Sequence, residues 1–280
     1  MSTTTSDGDL MPTDGEALIS IIGVKLKLGD NQVLDGVDLV VRDRVRSGQV
    51  TGQVVSLLGP SGVGKTRLLR IIAGLDAPDA GAVLGPKGVP LHAGSVGVVF
   101  QDYPLLRHRT ALGNLIIAGQ AGGLHADAAH KRAQHLLKRF GLDGRQRHYP
   151  AQLSGGQRQR VAIAQQLMVP RALLLMDEPF SGLDPVASTE VMALISEVAH
   201  MDEFNTIMLV THDLRAAMAV SDTLFVLGRE RDAQTQPRSG ARVRATYDLV
   251  ARGLAWHSDV EDLPAFTALA RDLRALFPRL

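Results

Sequence analysis

At 280 residues and 45% hydrophobic content the chain can bury a substantial core, as one large domain or two small ones. Its net charge of +1 gives no reason to expect a polyanionic partner, so no nucleic acid is indicated. It has no cysteine, which excludes a disulfide framework, thiol catalysis and cysteine-ligated metals.

Residues 1–15, rich in Ser, Thr, Asp and Gly, read as disordered. Ala17–Leu28 is apolar and β-branched, with Val24, Leu26 and Leu28 alternating, and reads as one strand or two. Val37–Val41 reads as another strand, and the charged stretch Arg42–Gly52 as a loop or hairpin tip. Val54–Leu58 is a short apolar run feeding into glycines, the pattern of a buried strand. Lys65–Ala73 has helix-period apolar positions at Leu68, Leu69 and Ile72, stopped by Gly74.

Further apolar runs at Val96–Phe100, Leu173–Met176, Ile207–Val210 and Leu224–Leu227 alternate with helical patterns. This argues for an α/β fold with a mainly parallel sheet. Residues 102–167 carry almost only helical pattern, including Asp127–Phe140 ahead of Gly141, and read as a helical insertion. From Gln234 the character changes to a polar stretch, then Tyr247–Leu254, then a helix opened by Pro264 with Phe266, Leu269, Leu273, Leu276 and Phe277 on one face. The resulting division is a core over 16–235 and an extension over 236–280. No apolar run reaches the about 18 residues needed to cross a bilayer, and the N-terminus has no signal-peptide pattern. The expectation is a soluble chain whose membrane role, if any, comes through a partner.

Gly59-Pro60-Ser61-Gly62-Val63-Gly64-Lys65-Thr66 matches G-x-x-x-x-G-K-[ST] between a strand and a helix. Its glycines allow successive N–H groups to face phosphate oxygens, and the helix start adds positive dipole. Lys65 would reach the outer phosphates and Thr66 would ligate Mg²⁺. Leu173–Met176 delivers Asp177 and Glu178 to the C-terminal end of a strand. Asp177 suits Mg²⁺, and Glu178 suits a base that orients or deprotonates the attacking water. Two solvated acids at a strand end are the bland alternative; the phosphate loop upstream argues against it. Ser154, Gly155 and Gly156 open a helix that is itself suited to an anion. His212 follows a β-branched strand. The other histidines, among them His108, His125 and His148, show no metal-ligand spacing.

Leu153-Ser154-Gly155-Gly156-Gln157 resembles the signature of ATP-binding-cassette (ABC) ATPases. Phe100-Gln101 looks like that family's Q-loop, Ser181-Gly182-Leu183-Asp184 like its D-loop and Thr211-His212-Asp213 like its switch histidine. The resemblance covers roughly residues 18–230. It implies a P-loop NTPase core with an antiparallel β subdomain on the N-terminal side and a helical insertion. It also implies ATP and Mg²⁺ as cofactors, with Thr66, Gln101 and Asp177 serving the metal and Lys65, Gln101, Glu178 and His212 the chemistry. The implied nucleotide contacts run from Gly59 through Arg67, with Ser154, Gly155, Gly156, Gln157 and Asp184 supplied across a dimer. The implied partners are a second copy of the chain, transmembrane permease subunits docking near Gln101–Arg109 and, indirectly, a solute-binding protein. The implied location is peripheral, on the cytoplasmic face of the inner or plasma membrane.

Met176–Pro185 is most similar to importers of the nitrate, sulfonate and taurine branch. A soluble ABC ATPase in metal-cluster biogenesis, or an export or lipid-trafficking ATPase, stays open. Four features depart from the family pattern. Leu28 stands where an adenine-stacking aromatic is usual, Arg67 where a second hydroxyl is usual, and Ala164-Gln165-Gln166 where Ala-Arg-Ala is usual. The segment from Val41 to Gly52 is longer than usual.

Overall fold

The computed structural model describes residues 13–45, 52–201, 206–231, 239–255, 257 and 259–280. Residues 1–12 of the expected disordered terminus, 46–51 of the Arg42–Gly52 stretch and 234–238 of the polar tail lie outside the described residues.

β1 (Thr13–Leu28) pairs antiparallel with β2 (Asn31–Val45). The apolar alternation of β1 changes phase, which is why its sequence allows one strand or two. The register shifts between Ile21 and Val24, where Gly23 takes a φ of +58°. Ile19 and Ile21 are buried before the shift, Val24 and Leu26 after it, and Ile22 between them is exposed. A bulge moves the buried face by one residue and keeps the strand single. Two boundaries differ from expectation. Thr13–Gly15 belong to β1, and Arg42–Val45 continue β2 instead of opening a loop. The charge of Arg44 is met inside the fold, by Asp248 at 2.7 Å and Thr223 at 3.3 Å, partners that sequence spacing could not supply.

β3 (Gln53–Leu58) is buried throughout and leads to α1 (Lys65–Ile72). β4 (Ala80–Leu84) adds to β1, completing a three-stranded sheet in the order β2-β1-β4. Its first three residues are small and exposed, so it has no apolar alternation to read from sequence. β5 (Gly97–Val99) precedes three helices of the expected insertion: α2 (Ala111–Ala121), α3 (Ala126–Arg139) and α4 (Gly155–Gln166). There follow β6 (Leu173–Asp177), α5 (Pro185–Ala199), β7 (Thr206–Thr211), α6 (Leu214–Val220) and β8 (Thr223–Gly228). The chain then forms β9 (Arg242–Asp248) and α7 (Pro264–Leu276).

The second sheet has the order β5-β6-β7-β3-β8-β9, parallel except for β9, which runs antiparallel to β8. Strand alternation splits its side chains between two cores. Val55 and Leu57 pack with α1 and the three-stranded sheet, while Val54, Leu174 and Met176 pack with residues of α2 to α5. The adjacency of β6, β7 and β3 has the functional consequence: the loops leaving their C-terminal ends open side by side.

The tail packs on the molecule. Phe266, Leu269 and Leu273 of α7 join Ala217 and Met218 of α6 and Leu224 and Val226 of β8 in a third core. Phe266 is 3% exposed. Phe266→Ala is expected to destabilise the chain by about 3–5 kcal/mol, read from the midpoint of urea unfolding. A loss below about 1 kcal/mol would mean that α7 lies outside the cooperative unit.

Candidate functional site

The loop after β3 is shaped by its glycines. Gly62 and Gly64 take φ values of +77° and +113°, conformations that side chains with a Cβ adopt only under strain. A Cβ at Gly59 would come within 2.5 Å of the Leu227 carbonyl, so the loop can pass β8 only without one. Gly64 then serves as N-cap of α1, placing Lys65 at the helix start.

Lys65 is buried, with Nζ donating to the carbonyls of Gly59 at 2.8 Å and Pro60 at 3.1 Å and lying 3.4 Å from Glu178 Oε1. Burial pushes its pKa down, partly offset by the attraction of Glu178. On the other side of Glu178, Oε2 lies 2.8 Å from His212 Nδ1 and accepts from the His212 backbone N–H at 3.3 Å. A carboxylate only accepts, so this contact fits the tautomer with the proton on Nδ1. Lys65, Glu178 and His212, spread over 147 positions of sequence, thus form one linked chain of polar groups.

Glu178 has a φ of +47°, a costly conformation for a side-chain-bearing residue. Its N–H donates to the Val210 carbonyl at 2.7 Å and its own carbonyl accepts from Ser181 N–H at 3.1 Å. These bonds turn the chain sharply out of β6 and hold the carboxylate toward β3 and β7.

Asp177 is buried beside it, and its Oδ1 accepts from Thr66 Oγ1 at 3.1 Å. Burial raises its pKa, and the charge of Glu178 adds to the rise, while the Thr66 bond opposes it. A hydroxyl and a carboxylate in contact at the phosphate loop are hard oxygen donors that fit Mg²⁺, an ion bound through one or two carboxylates plus substrate phosphates. Among the described residues no cluster of three or more His, Cys, Asp and Glu side chains could hold a metal on its own.

Asp177 also gives a pH dependence. Between the ordinary aspartate value and its raised folded value, the folded chain binds more protons than the unfolded one. The contribution of this carboxylate to stability therefore falls as pH rises through that window. Asp177→Asn, which can still accept from Thr66, is expected to melt above the parent at neutral pH without nucleotide. That advantage should shrink as pH falls through the window. Equal melting temperatures at neutral pH would contradict the assignment.

Gln101 lies 3.1 Å from Ser181 Oγ through Nε2 and lines a cleft of about 670 Å³ together with Asp177, Phe100 and Arg70. It shares this cleft with Asp177 but is bonded to the loop after Glu178. Arg67 stands away from the loop: its guanidinium is 3.5 Å from Asp76, which Arg70 grips at 2.8 Å. Leu28, at the end of β1, is exposed.

Ser154 N-caps α4: its hydroxyl accepts from Gln157 N–H at 3.2 Å, and Gln157 Oε1 accepts from Ser154 N–H at 3.1 Å, a capping box. Ser154, Gly155 and Gly156 are exposed. Asp184 likewise caps α5, accepting from Ala187 N–H at 2.9 Å. None of these is bonded to the Lys65 group. A link that sequence reading missed is Gln159, one turn into α4 and buried, whose Nε2 donates to the Pro179 carbonyl at 3.1 Å. It joins the Ser154 helix to the turn carrying Glu178, and only the fold reveals its partner.

A family model described as ABC transporter matches residues 44–181. The chain is 39% identical over 233 residues to a Fe(3+) ions import ATP-binding protein FbpC of Brucella abortus (strain 2308), covering 79% of this chain and 64% of that protein's length. It is 37% identical over 256 residues to an aliphatic sulfonates import ATP-binding protein SsuB 1 of Rhodococcus jostii (strain RHA1), covering 90% of this chain and 95% of that one. Among solved structures, cbiO1 from Clostridium perfringens, part of the ABC transporter complex cbiONQ, superposes with a TM-score of 0.70 at 25% identity, covering 94% of this chain and 97% of that one. The ATP-binding cassette MJ0796, a dimer in a post-hydrolysis state with ADP and Pi, superposes with a TM-score of 0.65 at 28% identity, covering 83% and 99%.

Proposed function

The chain belongs to the ABC transporter family, and from that premise we propose that it hydrolyses Mg²⁺-ATP to drive import of a small solute. The observation that carries the reading is the convergence of Lys65, Glu178 and His212 at the mouth of the phosphate loop, linked at 3.4 and 2.8 Å.

In this reading the N–H groups of Gly59–Thr66 and the start of α1 hold the β- and γ-phosphates. Lys65, already desolvated, exchanges its contact with Glu178 for phosphate oxygens. That exchange leaves Glu178 free to orient and deprotonate the attacking water, while His212 keeps the carboxylate in place through Nδ1 and offers Nε2 to the γ-phosphate. Thr66 and Asp177, with Gln101 after it leaves Ser181, would hold Mg²⁺, and the ion would supply charge neutralisation at the phosphates.

The exposed start of α4 has no nucleotide site of its own within the chain. Ser154, Gly155 and Gly156, with Gln157 fixing the turn, are placed to close the γ-phosphate of a second copy, and Asp184 lies in the same interface. Leu28 and Arg67 weaken the grip on ATP, the first by offering no ring and the second by pairing with Asp76 instead. The ATPase unit takes in the expected 16–235, with its helical insertion over 102–167, and begins with β1 at Thr13; the extension over 236–280 adds β9 to its sheet. The membrane partners are permease subunits, met near Gln101–Arg109. A solute-binding protein acts beyond them, and the chain itself sits at the cytoplasmic face. Among the described residues no helix is long and apolar enough to cross a membrane.

A mixing experiment tests the shared site. Lys65→Ala chains and Ser154→Arg chains should each be inactive alone. Mixed, they can form dimers in which one intact loop faces one intact signature, so part of the ATPase activity should return. If no activity returns while mixed dimers are present, the site is not shared between chains.

A further inference from the structure

α6 is the element directly behind His212, and it is only seven residues long, too short to hold itself in place without tertiary contacts. Its start is fixed locally. Asp213 caps it by accepting from Ala216 N–H at 3.0 Å, and the Asp213 N–H donates to Thr211 Oγ1 at 3.0 Å. Ala217 and Met218 pack into the third core against Val260 and Phe266 of the extension. Ala216 is buried in the first core with residues of α5, and beside it Arg215 borders a cleft of about 460 Å³ lined by Phe180, Leu183, Pro185, Asp213 and Glu261. Across that opening Arg215 Nη2 pairs with Glu261 Oε2, on the short turn Val260–Asp262 ahead of α7. Both residues line the cleft. It connects the extension to the first turn of α6, three residues from His212.

We propose that Arg215 and Glu261 are positioning residues for His212, so that the C-terminal extension helps set the γ-phosphate end of the site. The inference rests on the ATPase reading above. Its physical basis is that the first turn of α6, packed through Leu214 and Ala216 into the two cores, is tied to the extension by this ion pair. Loss of the pair frees that turn to shift against the extension, and it carries the Thr211–Asp213 corner and His212 with it. Neither residue touches the phosphate loop, so nucleotide affinity should not depend on them. The two side chains are 58% and 39% exposed, and surface pairs contribute little to global stability, so charge-reversed variants should fold.

The test uses purified full-length Arg215→Glu, Glu261→Arg and the doubly reversed chain, with steady-state Mg²⁺-ATPase and thermal melts. Each single reversal should lower kcat about three- to fivefold, the size a surface ion pair can carry, with KM for ATP and the melting temperature unchanged. The double reversal, which restores an ion pair, should recover kcat. Single variants with parental kcat would overturn the inference. So would losses that track a lowered melting temperature and are not rescued by the double reversal, since those mark a merely structural role. A parent chain with no Mg²⁺-ATPase activity would sink the ATPase reading and this inference together. An active parent with indifferent variants would sink the inference alone.

Discussion

Glu178→Gln is expected to leave ATP binding in place and to lower turnover by roughly 10²- to 10⁴-fold, the usual worth of a positioned general base. The substitution keeps an oxygen for His212 Nδ1, now 2.8 Å from Oε2, and changes no backbone atom of the strained turn at φ +47°. It removes the basicity needed to take a proton from water. It also removes the charge that competes with phosphate for Lys65, which lies 3.4 Å away, so affinity for ATP should be equal to or tighter than that of the parent. Single-turnover hydrolysis beside nucleotide titration separates the two effects. A variant that retains turnover within about tenfold, which is less than a base supplies, would remove Glu178 from the role.

Lys65→Ala should fail earlier, at binding. Phosphate contacts to a buried ammonium are charge-assisted bonds worth about 1.5–3 kcal/mol each. Losing two of them corresponds to roughly 10²- to 10⁴-fold in affinity. The lysine is already placed to make them, being 5% exposed and held by the Gly59 and Pro60 carbonyls above the loop. The cleanest readout is the rise in melting temperature on adding Mg²⁺-ATP, which follows ligand affinity directly. The parent should show a rise and the variant none at the same concentration. Lys65→Arg should not rescue binding, because a planar fork does not fit between two carbonyls that a compact ammonium bridges. An undiminished shift in Lys65→Ala would mean that the backbone N–H groups alone carry the phosphates.

Much of this site is legible in the sequence because its pieces are contiguous. Gly59–Thr66, Asp177-Glu178 and Ser154–Gln157 each sit within one strand-to-loop or loop-to-helix junction, and their local chemistry identifies them. The relations between pieces are not written locally. The Lys65–Glu178 contact crosses 113 positions, Gln101 meets Ser181 80 positions on, and Arg215 meets Glu261 46 positions on. Those distances are set by strand order, and one-dimensional periodicity carries no information about order. The same limit explains the fold. Fully buried strands such as β3 announce themselves by composition. β4 does not, because small exposed residues need only a neighbour's backbone. β9 does not either, since it has no fully buried residue and carries half-buried Arg242 and exposed Arg244, so it reads as polar. The bulge at Gly23 hid in plain view as a phase change, which a strict period of two interprets as two strands.

β5 and β9, the outer strands of the six-stranded sheet, bear on solubility. An open sheet invites strand addition along any long, flat, apolar rim. β5 offers only three residues to such an intruder. β9 carries Arg242 paired to Asp35 at 3.0 Å and Arg244 paired to Glu230 at 2.6 Å, charges that edge-to-edge stacking would have to bury. Along this sheet, copies of the chain therefore have little to gain by joining rim to rim into fibres, a form of protection against aggregation that involves none of the residues of the proposed chemistry.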